Sequence, residues 1–289
     1  MAKNHKSIPA GSNPLLAPLL HRLHHSGRLR VWSIVVSIFG ELVQSRQQTI
    51  SVQELLALTS HVGIEENALR TALSRLAKEG WVERHREGRL AFYALSDSGR
   101  KTFLAASARI YSPDFESPST HWNLAYFKDA SSKDAIDPSI AFSLSRHWLL
   151  LNNEDKASIN GNDVIFFPTE PMQMPTWAIQ NFLQKNLGVR YAELLEDLQP
   201  LLDESSLVNK LSPFSALAAR YLIVHAWRRL VLRHPLLPQQ LLEDDWPGYS
   251  CHRAICNLYP KLVQISEQWW QSATPKTGQL MLEKRFSKS

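Results

Sequence analysis

A chain of 289 residues, 44% hydrophobic and 20% charged, has the make-up of a soluble protein of two or three domains, each with enough apolar residues for its own core. The longest apolar helix face, from Val31 to Val43, is interrupted by Glu41 and falls short of a membrane span; the run from Leu15 to Leu20 is broken by Pro18 and followed by His21, Arg22, His24 and His25, which excludes a signal peptide. A net charge of +5 permits a polyanionic partner without singling one out, whereas eight Lys/Arg against four Asp/Glu between Arg70 and Lys101 mark one region as basic. The two cysteines, Cys251 and Cys256, have the spacing of no common zinc or redox motif, so reduced thiols and no metal or other cofactor are expected.

In chain order, residues 1–26 read as a flexible polar arm with one apolar patch, its histidines solvated rather than metal-bound. A first domain, 27–112, opens with a helix over Val31–Phe39 and a short strand at Thr49-Ile50-Ser51. Two helices follow, one from Val52 to Leu58 and one from Glu65 to Glu79, joined by a turn through Val62-Gly63. In the second, Leu69, Ala72, Leu73, Leu76 and Ala77 recur at i, i+3, i+4, i+7, i+8 and make a core-facing stripe. Asn67, Arg70, Thr71, Ser74, Arg75 and Lys78 take the opposite face, with no acid among them. Guanidinium groups, an amide, small hydroxyls and a lysine are what meets phosphates and base edges when a helix enters a major groove. Gly80 then stops the helix. Strands over Trp81–Arg84 and Leu90–Ala94 flank His85–Arg89, putting Arg84, Arg86 and Arg89 on a hairpin too short to need them for packing. Helix, turn, helix and basic hairpin make a winged helix-turn-helix in sequence, and double-stranded DNA its partner. Arg70, Ser74 and Arg75 are the candidate base readers, with Asn67 and Thr71 near the helix start. Lys78, Arg84, Arg86 and Arg89 are assigned to phosphates or a flanking minor groove.

Ser96 caps a helix running through Ile110, and a Ser- and Pro-containing linker, 112–118, closes the domain. The middle domain, 120–195, reads as a strand at His121–Phe127, a helix from Pro138 to Leu151, strands at 157–160 and 164–167, a helix over Thr176–Leu187 and, at Val189–Leu194, a last strand or equally a helix. That β-α-β-β-α-β order predicts a ferredoxin-like α/β sandwich. Asp129, just after the first strand, reads as a turn former; its rival role, in a metal-dependent nuclease, is the enzyme alternative. Residues 196–273 read as a C-terminal all-helical domain, with a central helix from Pro213 to Arg233 and a final one from Cys251 to Trp270 containing Pro260. His225 and Arg228 share an apolar stripe where a charge needs a partner. Either Arg228 pairs with Glu243, Asp244 or Asp245, or it joins His225 and Arg229 in an anion-binding effector pocket. Residues 274–289 read as a disordered basic tail. The fold class expected is α+β and multidomain.

Arg70-Thr71-Ala72-Leu73-Ser74-Arg75-Leu76, Glu79-Gly80-Trp81, Arg86-Glu87-Gly88-Arg89, Tyr93 and Leu95-Ser96-Asp97-Ser98-Gly99-Arg100 resemble the PaaX family of bacterial repressors. Val224-His225-Ala226-Trp227-Arg228-Arg229, Pro235-Leu236-Leu237-Pro238 and Asp245-Trp246-Pro247-Gly248 match it in the same order downstream, while 120–212 carries no family motif. The resemblance implies the three-part fold, a homodimer on a palindromic operator, and a cytoplasmic, non-enzymatic repressor of aromatic-acid catabolism genes. It also implies release from DNA by an aryl-CoA thioester, phenylacetyl-CoA in the best-known members. A CoA ester needs cations for its phosphates and an apolar slot for its acyl group, and Arg220, His225, Trp227, Arg228 and Arg229 are the candidates to supply them. The alternative within the same fold is a DNA-binding regulator that answers to no ligand.

Overall fold

Leu15, Leu16, Leu19, Leu20 and Leu23 recur at helical spacing, and the computed structural model buries all five along a 3-10 turn, Pro14–Leu16, and the helix α1 (Ala17–His25) that continues it. Pro18 falls in the first turn, where a missing N–H has no helical acceptor to lose. The arm expected over 1–26 is thus a packed helix over its second half. The structure describes residues 13–25, 27, 29–43, 48–115, 121–137, 140–153, 155–159, 163–169, 187–203, 205–233, 242, 244–273 and 285–286. They belong to two units, one drawn from residues 1–113, 196–227 and 254–289, the other from 114–195 and 228–253.

In the first unit, α2 (Val31–Leu42) buries Ile34, Val35, Ile38, Phe39 and Leu42. Helix α3 (Val52–His61) starts in a capping box: the Glu54 amide donates to Ser51 Oγ at 3.1 Å, and the Ser51 amide to Glu54 Oε2 at 2.7 Å. It ends where Ile64 N–H returns to Thr59 O and Gly63 N–H to Ser60 O, the Schellman closure, with Gly63 at φ 76°. Helix α4 (Glu66–Lys78) ends the same way, through Trp81 N–H to Leu76 O, Gly80 N–H to Ala77 O and Gly80 at φ 73°. Strands β2 (Val82–Glu87) and β3 (Leu90–Leu95) form an antiparallel hairpin, longer than the sequence suggested, with Gly88-Arg89 as its turn. Strand β1 (Ile50–Ser51) adds to β3, giving the order β1-β3-β2. Ser96 caps α5 (Asp97–Ile110) through the Gly99 amide.

In the second unit, β4 (Trp122–Phe127) is central, and a short helix α6 (Ala130–Asp134) follows it. The helix expected from Pro138 to Leu151 is instead two strands, β5 (Ala141–Ser143) and β6 (Trp148–Asn152). The strand expected at 157–160 is a 3-10 turn, Asp155–Ser158, whose first amide donates to Asn152 Oδ1 at 2.9 Å. Strand β7 (Val164–Thr169) stands where expected, and the sheet is antiparallel in the order β5-β6-β4-β7. Ala125, Phe127, Leu149, Leu151 and Ile159 form its core. The helix proposed over Thr176–Leu187 lies, but for Leu187, outside the described residues.

Of the strand and helix alternatives at Val189–Leu194 the structure takes the helix: the stretch begins α7 (Leu187–Asp203), which buries Leu187, Tyr191, Leu194, Leu198 and Leu201 at helical spacing. After a single turn, α8 (Ser205–Val208), come α9 (Pro213–Val231) and α10 (Pro247–Ala273), the latter carrying Pro260 inside. Within the first unit, α9 is tied to main-chain carbonyls through Tyr221 Oη, which donates to Leu58 O at 2.8 Å, and Trp227 Nε1, which donates to Ile110 O at 2.9 Å.

Candidate nucleic-acid interface

Helix α4 buries Leu69, Ala72, Leu73 and Leu76, and this phase turns Asn67, Arg70, Thr71, Ser74, Arg75 and Lys78 outward; Ala77, expected on the stripe, is exposed. On β2 only Val82 is buried, so Arg84 and Arg86 are exposed, as is Arg89 at the turn. All nine candidate DNA-contacting side chains therefore lie on the surface. Between the start of α3, the outer side of α4 and the hairpin runs an open groove of about 700 Å³. Arg70, Ser74, Arg84 and Arg89 line it together with Ser51 and Gln53, over a floor that includes Leu56, Leu73 and Tyr93. Asn67, Thr71, Arg75 and Lys78 lie on α4 outside the groove lining, as does Arg86 on β2.

The α4 face is less purely cationic than its pattern implied. Glu66, one turn before Arg70, accepts from Arg70 Nε at 2.8 Å and Nη2 at 2.5 Å. Glu79 accepts from Arg75 Nε at 2.7 Å, and the Arg75 guanidinium lies 5.1 Å from the Trp32 ring centre. Both ion pairs are solvent-exposed, so they hold the guanidiniums in place at a cost of only a few tenths of a kcal/mol to exchange, by the roughly 0.3–0.5 kcal/mol typical of i,i+4 pairs. Sequence reading missed Ser51 and Gln53 as groove residues. The Ser-x-x-Glu capping box was the available signal, since it places the start of α3 beside Arg70.

The candidate effector residues have a different setting. Arg220 is 1% exposed: its Nε donates to Glu41 Oε2 at 2.9 Å and its Nη1 to Ser266 Oγ at 2.8 Å. Glu41, fully buried, also accepts from Tyr111 Oη at 2.6 Å, Tyr259 Oη at 2.8 Å and Arg285 Nη1 at 3.0 Å. Burial alone pushes the Glu41 carboxyl up; the Arg220 and Arg285 charges, with the two tyrosine hydroxyls, outweigh it and hold the group below the usual carboxylate range. Arg285 also donates to Gly40 O at 2.9 Å, and its neighbour Phe286 is buried against Tyr111 and Tyr259. The tail expected to be disordered is docked at these two residues. His225 is buried with Nδ1 3.1 Å from Ser37 Oγ, and Trp227 is buried on its bond to Ile110 O. Arg228 and Arg229 are half-buried, Asp244 and Asp245 are exposed, and Glu243 and 235–238 lie outside the described residues.

Asp129 is exposed at the position before α6 and makes no side-chain cap. Among the described residues, no cluster of His, Cys, Asp or Glu is placed to hold a metal, and no helix is long and apolar enough to cross a membrane. A basic helix and a basic hairpin framing one open groove define the class: a protein that presents a shaped cationic surface to a polyanion, in the manner of DNA-binding regulators. The chain belongs to the PaaX-like protein family. Residues 30–99 match that family, and residues 182–272 match the PaaX-like protein C-terminal domain, together more than half of the chain. The transcriptional repressor PaaX of Escherichia coli strain K12 is 27% identical over 254 residues, which span 80% of each chain.

Proposed function

We propose that the chain is a sequence-specific transcriptional repressor that grips operator DNA as a homodimer through a winged helix-turn-helix. The observation that carries this reading is the joint exposure of the nine candidate residues on α4 and the hairpin, four of them around one groove. Helix α4 enters the major groove, where Arg70, Ser74 and Arg75 read base edges beside Asn67 and Thr71. The groove straddles the sugar-phosphate ridge, and Lys78, Arg84, Arg86 and Arg89 hold phosphates or the flanking minor groove. The likeness to the Escherichia coli repressor supports the repressing sign. Three sequence modules, 27–112, 120–195 and 196–273, carry the DNA-binding, ferredoxin-like and helical parts; the strand order β5-β6-β4-β7 supports the second.

Aromatic-acid catabolism genes are the targets, and an aryl-CoA thioester is the effector. It acts by preferring a form whose helix spacing misfits the operator, and shifts the balance only by that preference. Arg228 and Arg229 keep accessible surface for its phosphates, whereas Arg220, His225 and Trp227 are committed to the interior.

The test is a mobility-shift assay on the promoters of the protein's own gene and its neighbours, at two salt concentrations, with and without phenylacetyl-CoA. The expected result is a specific shift abolished by the thioester but not by free phenylacetate or CoA. A specific shift that ignores every acyl-CoA assigns a ligand-independent regulator. No specific shift at either salt removes the DNA-binding reading.

A further inference from the structure

The last turn of α2 meets the far end of the chain. Arg285 Nη1 donates to Glu41 Oε1 at 3.0 Å and to Tyr259 Oη at 3.1 Å, and its Nη2 donates to Gly40 O at 2.9 Å. Its guanidinium carbon lies 3.7 Å from the centre of the Tyr111 ring. The Phe286 ring stands 5.4 Å from that of Tyr111 and 5.0 Å from that of Tyr259, and the Phe286 amide donates to Tyr111 O at 3.0 Å. An acid between two tyrosines thus receives a guanidinium and a phenyl ring together. Gly40 O is one of the last four carbonyls of α2, which the helix itself cannot satisfy, so Arg285 also caps that end. A lysine ammonium lacks the planar fork that reaches Glu41 and Gly40 at once.

Two features weigh against a permanent contact. Arg220 already pairs with Glu41, so Arg285 shares a counter-ion and brings a second buried guanidinium to one carboxylate, at a cost in desolvation. Phe286 sits at φ 57°, where a bulky L residue is disfavoured, and holds that conformation only while its contacts last. At its other end α2 packs against α4, where the Trp32 ring lies 5.1 Å from the Arg75 guanidinium. We propose that Arg285-Phe286 is a reversible clasp: docked, it caps α2 and so braces the DNA-facing helix α4; released, it leaves a site that takes an arginine–aromatic peptide. The bracing rests on the DNA-binding reading, and the clasp does not.

Hydrogen exchange on the full wild-type chain is the first test and needs no variant. The Phe286 amide should be protected, yet exchange at least about tenfold faster than the buried amides of α2 and α10, the mark of an opening smaller than global unfolding. Exchange at the rate of those helices makes the pair a fixed part of the core, and an unprotected Phe286 amide means that it is not docked; either overturns the clasp. The second test adds a fluorescent peptide of residues 280–289 to the full chain carrying Arg285→Ala and Phe286→Ala. This chain should bind the peptide at least about tenfold more tightly than wild type does, because the wild-type tail competes at high effective concentration. Peptides carrying Arg285→Ala or Arg285→Lys should not bind. A folded double variant that ignores the peptide, or equal binding to wild type, would refute the site. Affinity for the duplex of the protein's own promoter should fall about fivefold or more in the double variant, the scale of an allosteric coupling, and return with the peptide. Unchanged affinity removes the bracing. A wild type that binds no duplex sinks the repressor reading instead, and exchange and peptide binding still decide the clasp.

Discussion

Arg86 stands on β2 opposite the small, apolar Ala91, with only Val82 of its strand buried, so its side chain has no packing duty to explain it. As a phosphate contact it should contribute alike on every duplex. Arg86→Ala is expected to weaken binding to specific and nonspecific DNA together and to lower the salt slope by about one, as one lost phosphate contact does. Affinity titrations at several salt concentrations measure both; lost sequence preference with an unchanged slope would make Arg86 a base reader. Arg70 should behave in the opposite way. It lines the groove from α4, steered by Glu66, and Arg70→Ala should cost about 1–3 kcal/mol on the operator while relaxing preference at one base position. Competition among operators varied one pair at a time reads this out. The nine exposed residues were legible because α4 keeps one helical phase throughout. Glu66 is less legible, because it precedes the polar face that begins at Asn67 and meets Arg70 only through the i, i+4 turn of the folded helix.

What aims that helix is a glycine closure on either side of it, Gly63 ending α3 before it and Gly80 ending α4 itself. Gly80 sits at φ 73°, where an L side chain is strained, and joins α4 directly to the hairpin. Gly80→Ala should therefore destabilise the fold by about 1 kcal/mol and lower Tm by about 2–4 °C, values usual for alanine at a left-handed position in a chain of this size. Calorimetry on the variant checks it; an unchanged Tm would mean that the closure carries no strain. These ends were legible in sequence because glycine after an amphipathic run has one local meaning. The middle of the chain was not, for a reason the sheet itself supplies. Trp148-Leu149-Leu150-Leu151 has no alternation, since both faces of β6 are apolar: Leu149 and Leu151 enter the core and Trp148 lies on the other face, beside Tyr126. An unbroken apolar run states no period, and only pairing with β4 decides that it is a strand. Val189 to Leu194 is ambiguous in the other direction. A short alternation there was outweighed by the longer spacing of Leu187, Tyr191, Leu194, Leu198 and Leu201, and Val189 is left 56% exposed on the helix.

Across the whole chain, the Glu41 cluster joins segments that no local pattern connects: α2, Tyr111 after α5, Arg220 on α9, Tyr259 on α10 and Arg285 near the C-terminus. In sequence Glu41 only interrupted an apolar face, and Arg285 looked like one more solvated cation. Exchanging such a buried set for well-packed apolar residues can be neutral, but removing one partner leaves charges without compensation. Glu41→Gln keeps the shape and deletes the carboxylate charge, stranding the buried Arg220 and Arg285 guanidiniums. We expect a loss of about 3–5 kcal/mol at neutral pH, the usual result of breaking a buried pair. The pH dependence separates charge from shape. Because the folded Glu41 carboxyl titrates below its ordinary value of 4.5, the unfolded chain takes up the proton first. The carboxylate's contribution is therefore complete above that ordinary value and is lost as pH falls through the depressed folded one. Urea melts of wild type and Glu41→Gln should differ most at neutral pH and converge in acid. A gap that stays constant into acid would show that the glutamine disturbs packing, and that the charge on Glu41 is not what binds these five segments together.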